Sequence, residues 1–318
     1  MSAATWNSEF NLLHVPTIEN CRLIRFIPRS STQAGVKALI GQPVNANQDV
    51  GLASRNGEEV RVEVYEGSSI LEPGKPSGKI ETLGRLLSPL AQSEVGSIRC
   101  IGLNYLKHAE EAGLALPDVP VLFIKPETSL ADPYPAPTII PRSQLSNNST
   151  DYEAELCVVI GKTAKDVSEK DALSYVLGYT ASNDVSNRYS QFAQSQWCFS
   201  KGFDGSCPIG PCIVSTSLVP DVSKLRMRGI KNGKVMQNSG LDDLIFSVSK
   251  IVSFLSQGTT LRPGTIILTG TPAGVGGMMK PQEYLQHGDE FAVEVLPHIG
   301  TLVTQFEDES RDVPLSPL

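Results

Sequence analysis

The run Asp151-Tyr-Glu-Ala-Glu-Leu-Cys-Val-Val-Ile160 places two carboxylates, Glu153 and Glu155, two positions apart at the opening of a strand-like segment. Side chains i and i+2 of a pleated strand point to the same face, so both acids share one spot. Facing water, such a pair would be unremarkable. The Leu-Cys-Val-Val-Ile that follows shows little polar alternation, however, so the strand runs into a core. Like charges held together beside a core need a cation to offset their repulsion, and a divalent metal would supply it. Asp184, in Ala-Ser-Asn-Asp-Val-Ser-Asn-Arg, offers a third oxygen ligand, although on local signals alone it also reads as a helix N-cap. All-oxygen ligation favours Mg²⁺, Mn²⁺ or Ca²⁺ over zinc, and a small carboxylate set with open positions suits Mg²⁺ or Mn²⁺ with substrate completing the shell. Cys157 continues the same strand face, but a lone thiol suits core packing better than a hard cation.

His108 is one of four histidines, and in Asn104-Tyr-Leu-Lys-His-Ala-Glu-Glu111 it stands three residues before Glu111 on one helical face. A carboxylate beside an imidazole fixes its tautomer and raises its basicity, as a water-activating base requires; taken alone, the pair equally describes a solvated helix surface. Lys201 is flanked by Phe199 and Phe203, which predicts partial desolvation. Arg188 follows Asp184 by four residues, a spacing that would let the two meet within one helical turn. The loop Thr269-Gly-Thr-Pro-Ala-Gly-Val-Gly-Gly277 is rich enough in glycine to bring backbone N–H groups and Thr271 close to a ligand. A plain glycine-rich turn is the competing reading. The loop lacks the Gly-Lys-Ser/Thr ending of a nucleotide-phosphate loop and is not Gly-x-Gly-x-x-Gly.

The elements that must position these groups are mostly strands. Strand signals lie at residues 21–28 and 60–66 and, more densely, at 97–103, 121–125, 153–160, 225–230, 265–268, 291–296 and 301–306. The clearest helix is predicted over residues 243–257, where Leu244, Ile245, Val248, Ile251, Val252 and Leu255 follow one buried face and Gly258 stops it. Asn232-Gly233 predicts a tight hairpin, and Pro297-His-Ile-Gly300 joins two further strand-like runs. Hairpins argue for antiparallel pairing, and the absence of regular strand–helix alternation argues against a doubly wound sheet or a TIM barrel. The expected class is therefore mixed and β-rich (α+β). A short amphipathic piece at 80–87 and a Ser-Pro connection after it place a boundary near residue 94, dividing a small β-containing unit, 1–94, from a larger one, 95–318.

Composition narrows the function classes. With 318 residues, 40% hydrophobic and 19% charged, the chain is an ordinary globular protein with enough length for a real core. Its net charge of −7 disfavours a nucleic-acid partner. No run reaches the ~18 to 20 apolar residues of a membrane helix, and the start MSAATWNSEFNLLHV lacks a basic n-region followed by an apolar stretch. The expected compartment is the cytoplasm, with a short mitochondrial presequence left open. The six cysteines form no Cys-x-x-Cys pair and read as free thiols, several of them buried; the sequons at Asn147 and Asn148 would matter only in a secreted chain.

Six ordered motifs, Ile101-Gly-Leu-Asn-Tyr-x-x-His108, Phe123-Ile-Lys-Pro, Tyr152-Glu-Ala-Glu-Leu, Asn183-Asp-Val-Ser, Lys201-Gly-Phe-Asp and Leu268-Thr-Gly-Thr-Pro-Ala-Gly-Val-Gly, together resemble the fumarylacetoacetate hydrolase superfamily over about residues 97–307. The resemblance implies a β-roll catalytic domain, preceded in many members by a small N-terminal domain, and a homodimer. It implies Mg²⁺ or Mn²⁺ on Glu153, Glu155 and Asp184, a catalytic His108–Glu111 dyad with Lys201, and substrate contacts from Arg188, Gln191 and Thr271. It further implies a 2-oxo acid substrate that chelates the metal, with water attacking the distal carbonyl of an acylpyruvate and pyruvate leaving as its enolate. Oxaloacetate tautomerisation or decarboxylation, and dienoate isomerisation or hydration, would use the same metal site. The sequence departs from the family pattern at Asn187 and Tyr189, which bracket Arg188 where many relatives carry a small residue and an acid, and at Cys157, where alanine or glycine is frequent.

Overall fold

A computed structural model describes residues 20–31 and 37–309. The N-terminal stretch read above for targeting signals lies outside them. The chain is β-rich, as expected, with two principal sheets. The larger one has the hydrogen-bonded order Leu39–Pro43, Arg61–Tyr65, Pro76–Leu87, Arg22–Pro28, Cys207–Ser215, Val176–Asn183, Ala154–Ile160, Ile266–Leu268, Ile98–Gly102 and Val121–Lys125, with Leu130–Ala131 beside Cys207–Ser215. The smaller runs Lys234–Gly240, Arg226–Lys231, Glu290–Leu296, Gly300–Asp308 and Pro137–Ile140. Antiparallel pairs dominate. The stretch at 80–87 belongs to the long strand Pro76–Leu87.

Because Arg22–Pro28 also pairs with Leu39–Pro43, the first four strands close on one another. They join the rest of the large sheet through Arg22 and Leu23, opposite Val214 and Ile213. A second tie comes from helix Val50–Asn56, whose cap Asp49 accepts from Leu52 N–H and also from the backbone N–H and hydroxyl of Thr301.

The strand Ala154–Ile160 is buried along its whole length because core lies on both faces. Leu156, Val158 and Ile160 enter one hydrophobic cluster, while Cys157 and Val159 enter a second that holds Cys100, Phe123, Cys207 and Leu268. This explains the unbroken apolar run: neither face meets water, so neither alternates. Each such aliphatic side chain contributes about 1.5–3 kcal/mol by leaving water. Glu153 and Glu155 continue the face of Cys157 and Val159, and that second cluster ends at their carboxylates.

Asn232 and Gly233 both take positive φ in the hairpin between Arg226–Lys231 and Lys234–Gly240, as the Asn-Gly pair requires. The helix expected over 243–257 is shorter, Val248–Ser256. Ser247 caps it through Lys250 N–H, and the preceding apolar residues are extended: Leu244 bridges Tyr105, Ile245 N–H donates to Asn104 C=O, and Phe246 N–H donates to the Asn104 side chain. Leu244 and Ile245 fit the helical period, but a tertiary partner claims their backbone. Gln257 is the C-cap and Gly258, at φ 67°, turns the chain away. Among the described residues no helix is long and apolar enough to cross a membrane.

Candidate active site

Glu153, Glu155 and Asp184 meet as the sequence predicts. Each offers a carboxylate oxygen within 4.8 Å of the others, and all three side chains are buried. The first two come from the head of strand Ala154–Ile160, and Asp184 follows its neighbour Val176–Asn183, where Ala154 pairs with Asn183. Asp184 does not cap a helix; its N–H donates to Glu153 C=O at 2.9 Å, locking the two ligand-bearing segments together.

Cations surround the cluster unevenly. Lys201, on the short helix Cys198–Lys201, donates to Glu153 at 2.8 Å, Asp184 at 2.7 Å and the Ser186 hydroxyl at 2.7 Å. It is fully buried, beyond the partial desolvation expected, with Nζ 5.0 Å from the Phe123 ring centre. Burial works against its charge, but Asp184 and Glu153 outweigh this and hold the lysine above its ordinary range. Lys125, at 0% exposure, reaches the other Asp184 oxygen at 2.5 Å and Ser206 C=O at 2.9 Å.

Arg188 does not pair with Asp184. The helix starts only at Arg188, in Arg188–Phe192 with Asn187 as N-cap, so the four-residue spacing spans extended chain rather than one turn. Its Nε donates to Asp151 at 2.7 Å, and its Nη1 to Glu153 at 2.7 Å and to Gln191 Oε1 at 2.9 Å; Nη2 is buried with no partner. Asn187 therefore serves the helix, and Tyr189 is exposed.

Glu153 feels burial pushing its pKa up, but Lys201 and Arg188 prevail and hold it down at about 2. Glu155 has no cation of its own among the described residues. Burial, Asp184 and Glu153 all push it well above the ordinary carboxylate range, opposed by Lys201 and by a 2.6 Å bond from Gly270 N–H. Asp151, Glu153, Glu155 and Asp184 thus face Lys125, Arg188 and Lys201, leaving one carboxylate without a balancing charge. A buried, unbalanced, all-oxygen cluster is what a hard divalent cation fits.

The glycine-rich loop is the counterpart of these acids. Its N–H groups serve the protein's own carboxylates: Gly270 donates to Glu155, Gly274 to Glu111, and Gly276 and Gly277 to Asp151. Gly270, at φ 97°, would place a Cβ 2.8 Å from Asn104, and Gly274, at φ 104°, one 2.1 Å from Met236 C=O, so neither position admits a side chain. Thr271 donates to Ala154 C=O at 3.0 Å and accepts from Gln237 at 2.7 Å.

His108 and Glu111 lie on helix Leu106–Ala112, with Nδ1 3.0 Å from Glu111 Oε2. Glu111 also accepts from Gly274 N–H at 3.0 and 3.2 Å, which fixes the helix against the loop. With Nδ1–H donated to the carboxylate, Nε2 carries the free lone pair. His108, Glu153, Arg188, Gln191, Lys201 and Thr271 all border one cavity of about 360 Å³. Cys157 stays in the core.

Lys125, Asp151, Asn104 and Gln237 are site-building residues to which the sequence assigned no role. Asn104 anchors the dyad segment by donating to Thr269 C=O at 2.7 Å and accepting from Phe246 N–H at 2.7 Å. Gln237, from the smaller sheet, accepts from Ala154 N–H at 2.9 Å and donates to Thr271. Their partners lie far away in sequence; Asn104, Lys125 and Asp151 stood inside or beside the motifs read above, and only Gln237 stood near none.

Comparison with known proteins places this geometry. A family model described as fumarylacetoacetate (FAA) hydrolase, C-terminal, matches residues 97–307. The chain is 44% identical over 295 residues to a caffeoylpyruvate hydrolase of Neonothopanus nambi, covering 91% of this chain and 93% of the relative. It is 34% identical over 283 residues to a mitochondrial oxaloacetate tautomerase, FAHD2A, of Bos taurus, covering 83% and 88%. Among solved structures, a 2-hydroxyhepta-2,4-diene-1,7-dioate isomerase from Mycobacterium marinum superposes with a TM-score of 0.72 at 29% identity, over 92% of this chain and 100% of that one. The family model falls on the sheet, the carboxylate cluster and the glycine loop just described, and the chain belongs to the fumarylacetoacetate hydrolase family of enzymes.

Proposed function

We propose that the protein is an acylpyruvate hydrolase, cleaving the C–C bond of a 2,4-dioxo acid to give a carboxylic acid and pyruvate. The observation that carries this reading is the His108–Glu111 dyad at the same cavity as Glu153, Arg188 and Lys201. Glu153, Glu155 and Asp184 would hold Mg²⁺ or Mn²⁺. When bound, that ion supplies Lewis-acid polarisation of the 2-oxo acid.

The remaining work falls to the chain. Arg188 and Gln191 orient the substrate, with Arg188 Nη2 the free donor, and Thr271 lines the wall beside them. His108 Nε2 takes a proton from water, Glu111 stabilises the imidazolium so formed, and hydroxide adds to the distal carbonyl. Collapse of the adduct breaks the C–C bond and leaves its electron pair on the pyruvate carbon skeleton as the enolate. Lys201 stabilises that developing negative charge, and protonation of the enolate yields pyruvate.

The larger unit, residues 95–318, carries this chemistry. The family resemblance supports a homodimer, and the sequence supports a cytoplasmic location. Similarity to the oxaloacetate tautomerase supports a second reading, in which the same residues move a proton between the keto and enol forms of oxaloacetate. A product assay with Mg²⁺ or Mn²⁺ separates them: the first reading expects acid plus pyruvate from an acylpyruvate, abolished by EDTA. Turnover of oxaloacetate alone, by loss of enol absorbance, contradicts it and supports the second.

A further inference from the structure

The cavity has two chemically different parts, and only one is accounted for by the mechanism. Its charged part is largely committed: the two buried cations on its wall, Arg188 and Lys201, are paired with Asp151, Glu153 and Asp184, and the one donor left over, Arg188 Nη2, is the one the proposed mechanism uses to orient the substrate. The rest of the wall is mostly apolar, with Gln194 and Ser195 as neutral polar members that carry no charge. Leu103, Trp197 and Val275 lie deeper, and Leu114, Phe192 and Met278 stand at the rim, 57%, 73% and 36% exposed. Trp197 is seated by an edge contact with Phe123 at 5.5 Å and by Gly102, where any Cβ would come within 2.4 Å of the indole.

The three rim residues come from the three segments that carry site chemistry. Leu114 follows the His108 helix, Phe192 ends the Arg188 helix, and Met278 ends the Thr271 loop. Phe192 makes no ring contact among the described residues. Large apolar side chains held in water around a cavity mouth are unsatisfied surface that a bound apolar group would cover. A carboxylate placed there would find no cation beyond the Arg188 donor already used for the 2-oxo acid, and would be desolvated without compensation.

Resting on the hydrolase reading, we infer that this apolar part is an acyl subsite selective for an aromatic or similarly bulky apolar acyl group and hostile to one ending in a carboxylate. At about 360 Å³ the cavity sits near the lower end of the ~300–1,000 Å³ common for ligand sites, which suits a single-ring acyl group. The distinction between an aroylpyruvate and a dicarboxylic substrate is then made by Leu114, Phe192 and Met278 rather than by the carboxylate cluster.

The test compares kcat/KM of the full chain with Mg²⁺ for acetylpyruvate, benzoylpyruvate and succinylpyruvate. Benzoylpyruvate is expected to exceed acetylpyruvate by about 10- to 100-fold, the range open to a filled apolar pocket. Phe192→Ser should lower the benzoyl-to-acetyl ratio at least about fivefold, and Phe192→Lys should raise succinylpyruvate relative to benzoylpyruvate. A native preference for acetyl- or succinylpyruvate, or ratios unmoved by these variants, overturns the inference. If no acylpyruvate is cleaved, it is the hydrolase reading that falls. The subsite is then decided by calorimetric binding of cinnamate against succinate. Tighter cinnamate binding that weakens in Phe192→Ser supports the subsite, and equal binding or no dependence on Phe192 overturns it.

Discussion

At the inner end of the cavity, Lys125, Asp151, Glu153, Glu155, Asp184, Arg188 and Lys201 are buried together, and nearly every polar atom has a partner on another segment. At the mouth, the dyad helix is held to the glycine loop by Glu111 alone among its carboxylates, and Leu114, Phe192 and Met278 face water. The difference divides the labour. The inner end is over-determined, so in the proposed function it keeps one task, holding a cation and the 2-oxo acid part of the substrate. The mouth is lightly tied, so what happens to the rest of the substrate is decided there. Proteins similar to this chain are named as a hydrolase, a tautomerase and an isomerase, so one fold carries more than one reaction.

The sharpest way to break this comparison is to remove a cation from the inner end. Lys125→Met strips one oxygen of a fully buried Asp184 of its partner and should cost about 3–5 kcal/mol of stability, read by urea unfolding. A loss below about 1 kcal/mol would show the inner end to be far less interlocked than its contacts imply.

Glu155→Gln addresses the unbalanced charge. Wild-type protein at about 100 times the metal dissociation constant should gain about 2.7 kcal/mol, and the variant should gain nothing. In the metal-free wild type, burial and the neighbouring Asp184 and Glu153 raise the Glu155 pKa. Its contribution is therefore intact in acid and lost as pH rises through that raised value. The glutamine variant lacks this loss, so without metal it should melt higher at neutral pH, with the gap closing as pH falls. A thermal shift series across pH with and without Mg²⁺ checks both statements.

Changes at the mouth should leave that thermal response to metal in place. His108→Ala should reduce hydrolysis by about 10²- to 10⁴-fold while retaining the metal-induced rise in Tm. Glu111→Gln keeps an acceptor for Gly274 N–H but removes the charge beside the imidazole. It should cost only about tenfold in kcat/KM, read from steady-state kinetics with Mg²⁺.

The same division governed what could be seen in the sequence. Glu153 and Glu155 were legible because a period of two is local, and the uninterrupted Leu156 to Ile160 run disclosed a strand with core on both sides. The His108–Glu111 contact was legible for the same reason, three residues apart on a real helix. Arg188 was misplaced because its four-residue spacing from Asp184 presupposed helix where the chain is extended, and its partners come from Asp151 and Glu153. The helix start was misplaced because Leu244 and Ile245 keep the helical period while their backbone is held by Asn104 and Tyr105. Lys125 stood in the Phe123-Ile-Lys-Pro motif but was given no role, and Gln237 stood in no motif, since a buried cation or amide is understood only from the segment it faces. The carboxylates that needed a cation were visible, and so were Lys201 and Arg188 as residues; which acids those two cations answer was not.

The most direct test of the account is a mass balance on an acylpyruvate turned over by wild type and His108→Ala with Mg²⁺ present, quantifying pyruvate and released acid together. Equimolar pyruvate and acid are expected from wild type, removed by EDTA, with their near-complete loss in a variant that still gains stability from metal. No acid from wild type, or equal product from both proteins, would contradict it.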